Sequence, residues 1–175
     1  MILLTVFASL SVLLKIEIDL KYQLLLILFT FVLPILFALI FKLFDITSDL
    51  TVSKREERPK LYLTFLSFFL ISLNIAITTQ NSTLIEIYSV LNLTFVLGTL
   101  ITFFWKISFH MIFSTLIIFF ICYLLKTPEI YSLVILLPLI GWSRLQLRKH
   151  SFKQVLGGTL LSLIGILIVL TLFNF

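Results

Sequence analysis

Charge is scarce in this chain: Asp, Glu, Lys and Arg make up 12% of its 175 residues, against 61% hydrophobic, with a mean hydropathy of +1.21. That balance excludes a water-soluble domain, because the apolar runs are long enough to cross a bilayer, which takes about 20 residues per helix. Cysteine is nearly absent. Cys122 stands alone in an apolar run, so neither a disulfide framework nor a thiolate metal site is available. The first residues offer no charged segment before their apolar stretch and no small-residue cleavage site, so no removed signal peptide is expected. Acidic motifs are few: Asp45-x3-Asp49 is a possible half of a magnesium–diphosphate site, and no second one follows in the later loops. No internal repeat is evident.

What is present is a succession of apolar segments separated by short polar ones. Met1–Leu14 is a short first span or a half-inserted helix, followed by an interfacial connection carrying Lys15, Glu17, Asp19 and Lys21. Further spans are predicted over Gln23–Phe44, with a kink at Pro34, then Leu61–Thr79, Thr83–Phe104 and Ile107–Leu125. A shorter segment covers Ile130–Trp142, with Thr127 as N-cap and Pro128 at its first position. Val155–Phe173 is the last span, and its Gly158-x3-Ser162 spacing permits close helix contact. The expectation is an all-α, polytopic transmembrane bundle of six to seven spans in a single domain. No polar or charged residues are expected to line the mid-membrane part of several helices, which argues against a transporter.

Three cationic islands interrupt the apolar pattern: Asp45–Lys60, Trp105–His110 and Ser143–Gln154. Two spans separate each from the next, and an even number of crossings returns the chain to the same face. On this reading Lys15, Lys21 and Lys126 lie on one side and the other ten Lys and Arg residues on the opposite side. The positive-inside rule votes for a cytoplasmic motif face, but cations recruited for phosphate weaken that vote, and the side stays open.

The islands supply a consistent chemistry. Arg58, Arg144, Lys106 and Lys54 suit the oxygens of a phosphate, arginine's planar fork especially. His110 and His150 are the two histidines, the side-chain type that exchanges protons near neutral pH. Gln154 falls four residues after His150, on the same face if a helix starts there, and can hold one ring nitrogen. Arg148, Lys149 and Lys153 read as juxtamembrane cations facing anionic lipid, and Trp105 and Trp142 as interfacial belt residues.

The order Arg58-Pro59, Lys106-Ile107-Ser108-Phe109-His110 and Ser143-Arg144-x5-His150-x3-Gln154 resembles the three-part signature of the type 2 phosphatidic acid phosphatase superfamily. That signature runs Lys-x6-Arg-Pro, Pro-Ser-Gly-His and Ser-Arg-x5-His-x3-Asp, and the likeness covers residues 45 to 170. It implies His150 as nucleophile, His110 as general acid, and Arg58, Arg144 and Ser108 around the phosphoryl oxygens. Lys106 and Lys54 would add positive charge, Gln154 would orient the nucleophile, and no metal or cofactor would take part. Three positions depart from the signature: Thr51 stands for its lysine, Phe109 for its glycine, and Gln154 for its carboxylate.

The resemblance implies a membrane lipid phosphatase of the plasma (inner) membrane. Its substrate would be a phospholipid or polyprenyl phosphate, and nucleic acid is not an expected partner. Two other readings accompany it: an inactive relative that binds lipid phosphate or acts as a scaffold, and a magnesium-dependent polyprenyl transferase using Asp45 and Asp49.

Overall fold

A computed structural model describes residues 16–50, 52 and 54–173. The predicted first span, Met1–Leu14, and Thr51 lie outside the described residues. Every regular element among them is helical: α1 (Leu20–Leu43), α2 (Arg58–Thr78), α3 (Ser82–Phe104), α4 (Phe109–Leu125), α5 (Pro128–Tyr131), α6 (Leu136–Gln146) and α7 (Phe152–Phe173). Among the described residues four helices are long and apolar enough to cross a membrane: α1, α2 with the 3-10 turn Arg55–Glu57 ahead of it, α3 and α7. α4 is apolar over 17 residues. This is the architecture of an integral membrane protein. The described residues gather into two compact units, one of Ile18–Lys106 and one that joins Ile16 and Glu17 to the chain from Ile107 onward.

In the first unit α1, α2 and α3 run antiparallel in turn. Phe37 meets Phe68 edge-on at 5.0 Å, and Phe95 takes Phe69 at 4.7 Å and Tyr62 at 5.9 Å. Such ring pairs contribute about 0.5–1.5 kcal/mol each beyond burial. The α2–α3 turn closes on Gln80, which adopts a left-handed backbone, and on Asn81, whose Oδ1 accepts the Leu84 N–H at 3.1 Å as the N-cap of α3. Arg55 Nη1 donates to Phe104 O at 3.0 Å, so both ends of the hairpin meet.

The interior of this unit corrects the expectation of an apolar mid-span. Thr30 Oγ1 lies 3.1 Å from both Ser72 Oγ and Tyr88 OH, and Ser72 Oγ donates to Phe68 O. Each hydroxyl has one proton, so the direction follows: Tyr88 donates to Thr30, and Thr30 to Ser72. Asn92 donates to Phe69 O and Tyr88 O. Thr30 sits in a π-helical turn, Leu28–Val32, closed by the Leu33 N–H on Leu28 O. Pro34 explains that turn: it has no N–H for Thr30 O, and the helix widens just upstream. The predicted kink is a bulge that carries a polar side chain.

In the second unit α4 and α7 are parallel. Ser108 N donates to Gln154 O at 3.3 Å, and one turn on Ser162 Oγ donates to Ile112 O at 3.2 Å. A Cβ added at Gly158 would lie 2.6 Å from Ser108 O and 3.0 Å from Met111 Cβ. Glycine is therefore required for the approach, as the Gly158-x3-Ser162 spacing predicted. Two parallel neighbours oblige residues 126–151 to bring the chain back to its starting end. That return is broken, because Ser132–Ile135 tighten into a 3-10 turn ahead of Pro138, which cannot donate to Val134 O. α6 then runs to Gln146, so Ser143 and Arg144 lie on a helix rather than in a loop. Thr127 occupies the N-cap of α5 without a side-chain cap; its carbonyl takes the Ile130 N–H instead.

Candidate functional site

The third island folds as one helix stop followed at once by one helix start. Arg148 N donates to Leu145 O at 2.9 Å and Lys149 N to Arg144 O at 3.2 Å, the paired bonds of a Schellman ending. Arg148 occupies its left-handed position, with φ 50°. Three residues later Ser151 O accepts from Gln154 N and Val155 N and opens α7. Gln154 Oε1 reaches back to the Ser151 N–H at 3.1 Å, the glutamine half of a Ser-x-x-Gln capping box. His150 is held between the two. The pattern Ser151-x-x-Gln154 was visible in the sequence and went unread there.

Gln154 Oε1 also lies 3.2 Å from His150 Nδ1. Amide orientation and imidazole tautomer are normally ambiguous, but the Ser151 N–H resolves both. A backbone N–H can only donate, so the Gln154 group facing it is the carbonyl oxygen. That oxygen can only accept, so His150 Nδ1 carries a proton and donates it to Gln154.

The start of α4 meets the same place. Ser108 is its N-cap and holds Gln154 through the backbone bond already described. The Ser108 hydroxyl is fully buried and has no hydrogen-bond partner among the described residues, an uncommon condition for a polar atom. His110 is the second residue of α4, half-buried. Because α4 and α7 are parallel, both helix N-termini, with their partial positive charge, lie at one end. This unit thus joins Ser108, Gln154 and His150 by hydrogen bonds, with His110 two residues after Ser108 and Arg144 in the Schellman ending that precedes His150. Phe109, where the signature has glycine, is buried and packs on Phe113 at 6.2 Å.

Arg58, Lys54 and Lys106 belong to the other unit. Arg58 opens α2 and is 3% exposed, its Nε donating to Val52 O at 2.9 Å. The Lys54 side chain is 66% exposed and pairs with Glu57 at 3.6 Å, while Glu57 also accepts from Ser48 N and Oγ. Lys106 follows α3, half-buried. Asp45 has a structural role: it takes the left-handed position of the Schellman ending of α1 and pairs with Lys42 at 3.6 Å. Among the described residues no group of three His, Cys, Asp or Glu is arranged to hold a metal ion. Compared with protein-family models, curated proteins and solved structures, the chain matches none.

Proposed function

We propose that this chain is a membrane lipid phosphatase of the type 2 phosphatidic acid phosphatase kind, working without a metal through a phosphohistidine. The observation that carries the reading is the His150 Nδ1–Gln154 Oε1 hydrogen bond, made to the same glutamine whose backbone carbonyl takes the Ser108 N–H. His150 Nε2 attacks phosphorus and forms a P–N bond. The P–O bond to the lipid breaks, and His110 gives its proton to the departing oxygen. Water then attacks phosphorus, His110 takes a water proton, the P–N bond breaks, and phosphate leaves with His150 restored. Arg144 and the Ser108 hydroxyl, with the N-termini of α4 and α7, stabilise the phosphoryl oxygens. Of the remaining cations only Arg58 stands at a signature position; Lys54 and Lys106 would make up for the lysine that the signature has where this chain has Thr51.

A six- or seven-span bundle in the plasma (inner) membrane would present this end of the helices to lipid head groups. A phospholipid or polyprenyl phosphate is the substrate class, since the polar segments are too short to build a cleft for a bulky soluble substrate. One observation favours a second reading, a lipid-phosphate-binding protein without turnover. Gln154 is accounted for by its cap on Ser151 alone, and it brings no negative charge to an imidazolium.

Phosphate release from a panel of lipid phosphates by detergent-purified protein, in EDTA, tests the reading. Turnover is expected in EDTA and is expected to fall at least about 10⁴-fold in His150→Ala. Turnover that survives this variant, or that needs added magnesium, sinks the phosphohistidine mechanism. Lipid-phosphate binding with no turnover selects the second reading.

A further inference from the structure

Two cations of the α6–α7 turn sit where the local backbone disfavours them. Arg148 takes a left-handed conformation, φ 50°, at the Schellman position that glycine ordinarily fills. Lys153 is the second residue of α7, in the first turn, where the helix dipole repels positive charge. Neither enters an ion pair among the described residues, and no Asp or Glu occurs anywhere in the sequence after Glu129. Cations kept against local preference, with no acid nearby in the sequence, point to counter-charge supplied from outside the chain.

The same turn also leaves large apolar side chains uncovered: Trp142 is 61% exposed, Leu147 59% and Phe152 65%. Water disfavours these three, and hydrocarbon disfavours Arg148 and Lys153. The interface of an anionic bilayer satisfies both, since acyl chains begin where the phosphates end. We infer that the turn Trp142–Lys153 is a binding surface for anionic bilayer lipid. Arg148 and Lys153 meet negatively charged head groups, while Trp142, Leu147 and Phe152 lie among the upper acyl carbons. Anionic lipid is thereby concentrated around His150. The contact is measured without turnover, so its outcome is separate from that of the phosphatase reading.

The experiment uses the full chain carrying Trp105→Phe, which leaves Trp142 as the sole tryptophan. It is placed in phosphatidylcholine nanodiscs doped with equal fractions of brominated phosphatidylglycerol or brominated phosphatidylcholine. Bromine quenches an indole it touches, so the ratio of quenching reports lipid preference at the turn. The anionic lipid is expected to be preferred, with about a five-fold loss of relative affinity for each of Arg148→Gly and Lys153→Gln. Arg148→Lys should retain the preference, and high salt should weaken it. Arg148→Gly suits the left-handed backbone, so its loss of preference cannot be assigned to unfolding. Equal quenching by the two lipids overturns the inference. So does a preference that survives Arg148→Gly and Lys153→Gln combined.

Discussion

The loop before α2 and the turn before α7 handle positive charge in opposite ways. From Lys42 to Lys60 the chain has five basic and four acidic residues, and the acids are used. Lys42 pairs with Asp45, Lys54 with Glu57 and Arg55 with Glu56, while Arg58 donates to a backbone carbonyl. From Gly141 to Gln154 there are four basic residues and no acid. There the backbone closes on itself through a Schellman ending and a capping box, and the counter-charge inferred for Arg148 and Lys153 is anionic lipid. A count of cations treats the two stretches alike. Their chemistry differs because ion pairs within a loop spend charge that would otherwise be available to phosphate.

The sharpest way to break this contrast is to neutralise one cation on each side. Arg144→Gln is expected to lower lipid-phosphate turnover by about 10²–10³-fold, the usual effect of removing a donor to a developing oxyanion. Lys54→Gln, which removes an exposed and paired charge, should leave turnover within about two-fold. Equal losses in the two variants would erase the distinction.

Packing is the next level. Gly158→Ala forces a Cβ against Ser108 O and should destabilise the α4–α7 pair by about 1–3 kcal/mol, read as a lower thermal midpoint in detergent. In the other unit, Thr30→Val cuts the hydroxyl chain between Tyr88 and Ser72. Hydrogen bonds between membrane helices contribute about 0.6 kcal/mol on average and up to about 1.7, so a loss in that range is expected in a denaturation series. The smallest effect has the opposite sign. Arg148→Gly removes the left-handed strain of a residue with a Cβ and should stabilise the protein by about 1 kcal/mol, raising the thermal midpoint.

Much of the helical frame was legible in the sequence. Gln23–Phe44 became Leu20–Leu43, Leu61–Thr79 became Arg58–Thr78, and Val155–Phe173 became Phe152–Phe173. Long apolar runs bounded by charge are local signals, and burial in lipid requires each run to close its own backbone hydrogen bonds as a helix. The same holds for His150 and Gln154, four residues apart and bonded through their side chains. The hydroxyl chain was not legible, because Thr30, Ser72 and Tyr88 are 42 and 58 residues from one another along the chain when counted from Thr30. Nothing local distinguishes them from other isolated hydroxyls in apolar runs.

The sequence by itself determined that this is a helical membrane protein, where its long helices begin and end to within about three residues, and that its histidines and most of its cations lie at or near the ends of apolar segments. Those properties follow from hydrophobicity, proline and capping chemistry, which act over a few residues. Only the tertiary structure decided that α4 and α7 run parallel with their N-termini together, and that Gly158 lets Ser108 reach Gln154. It also decided which cations are spent on neighbouring acids. These depend on distances between residues remote in the chain, and such distances exist only once the helices have packed.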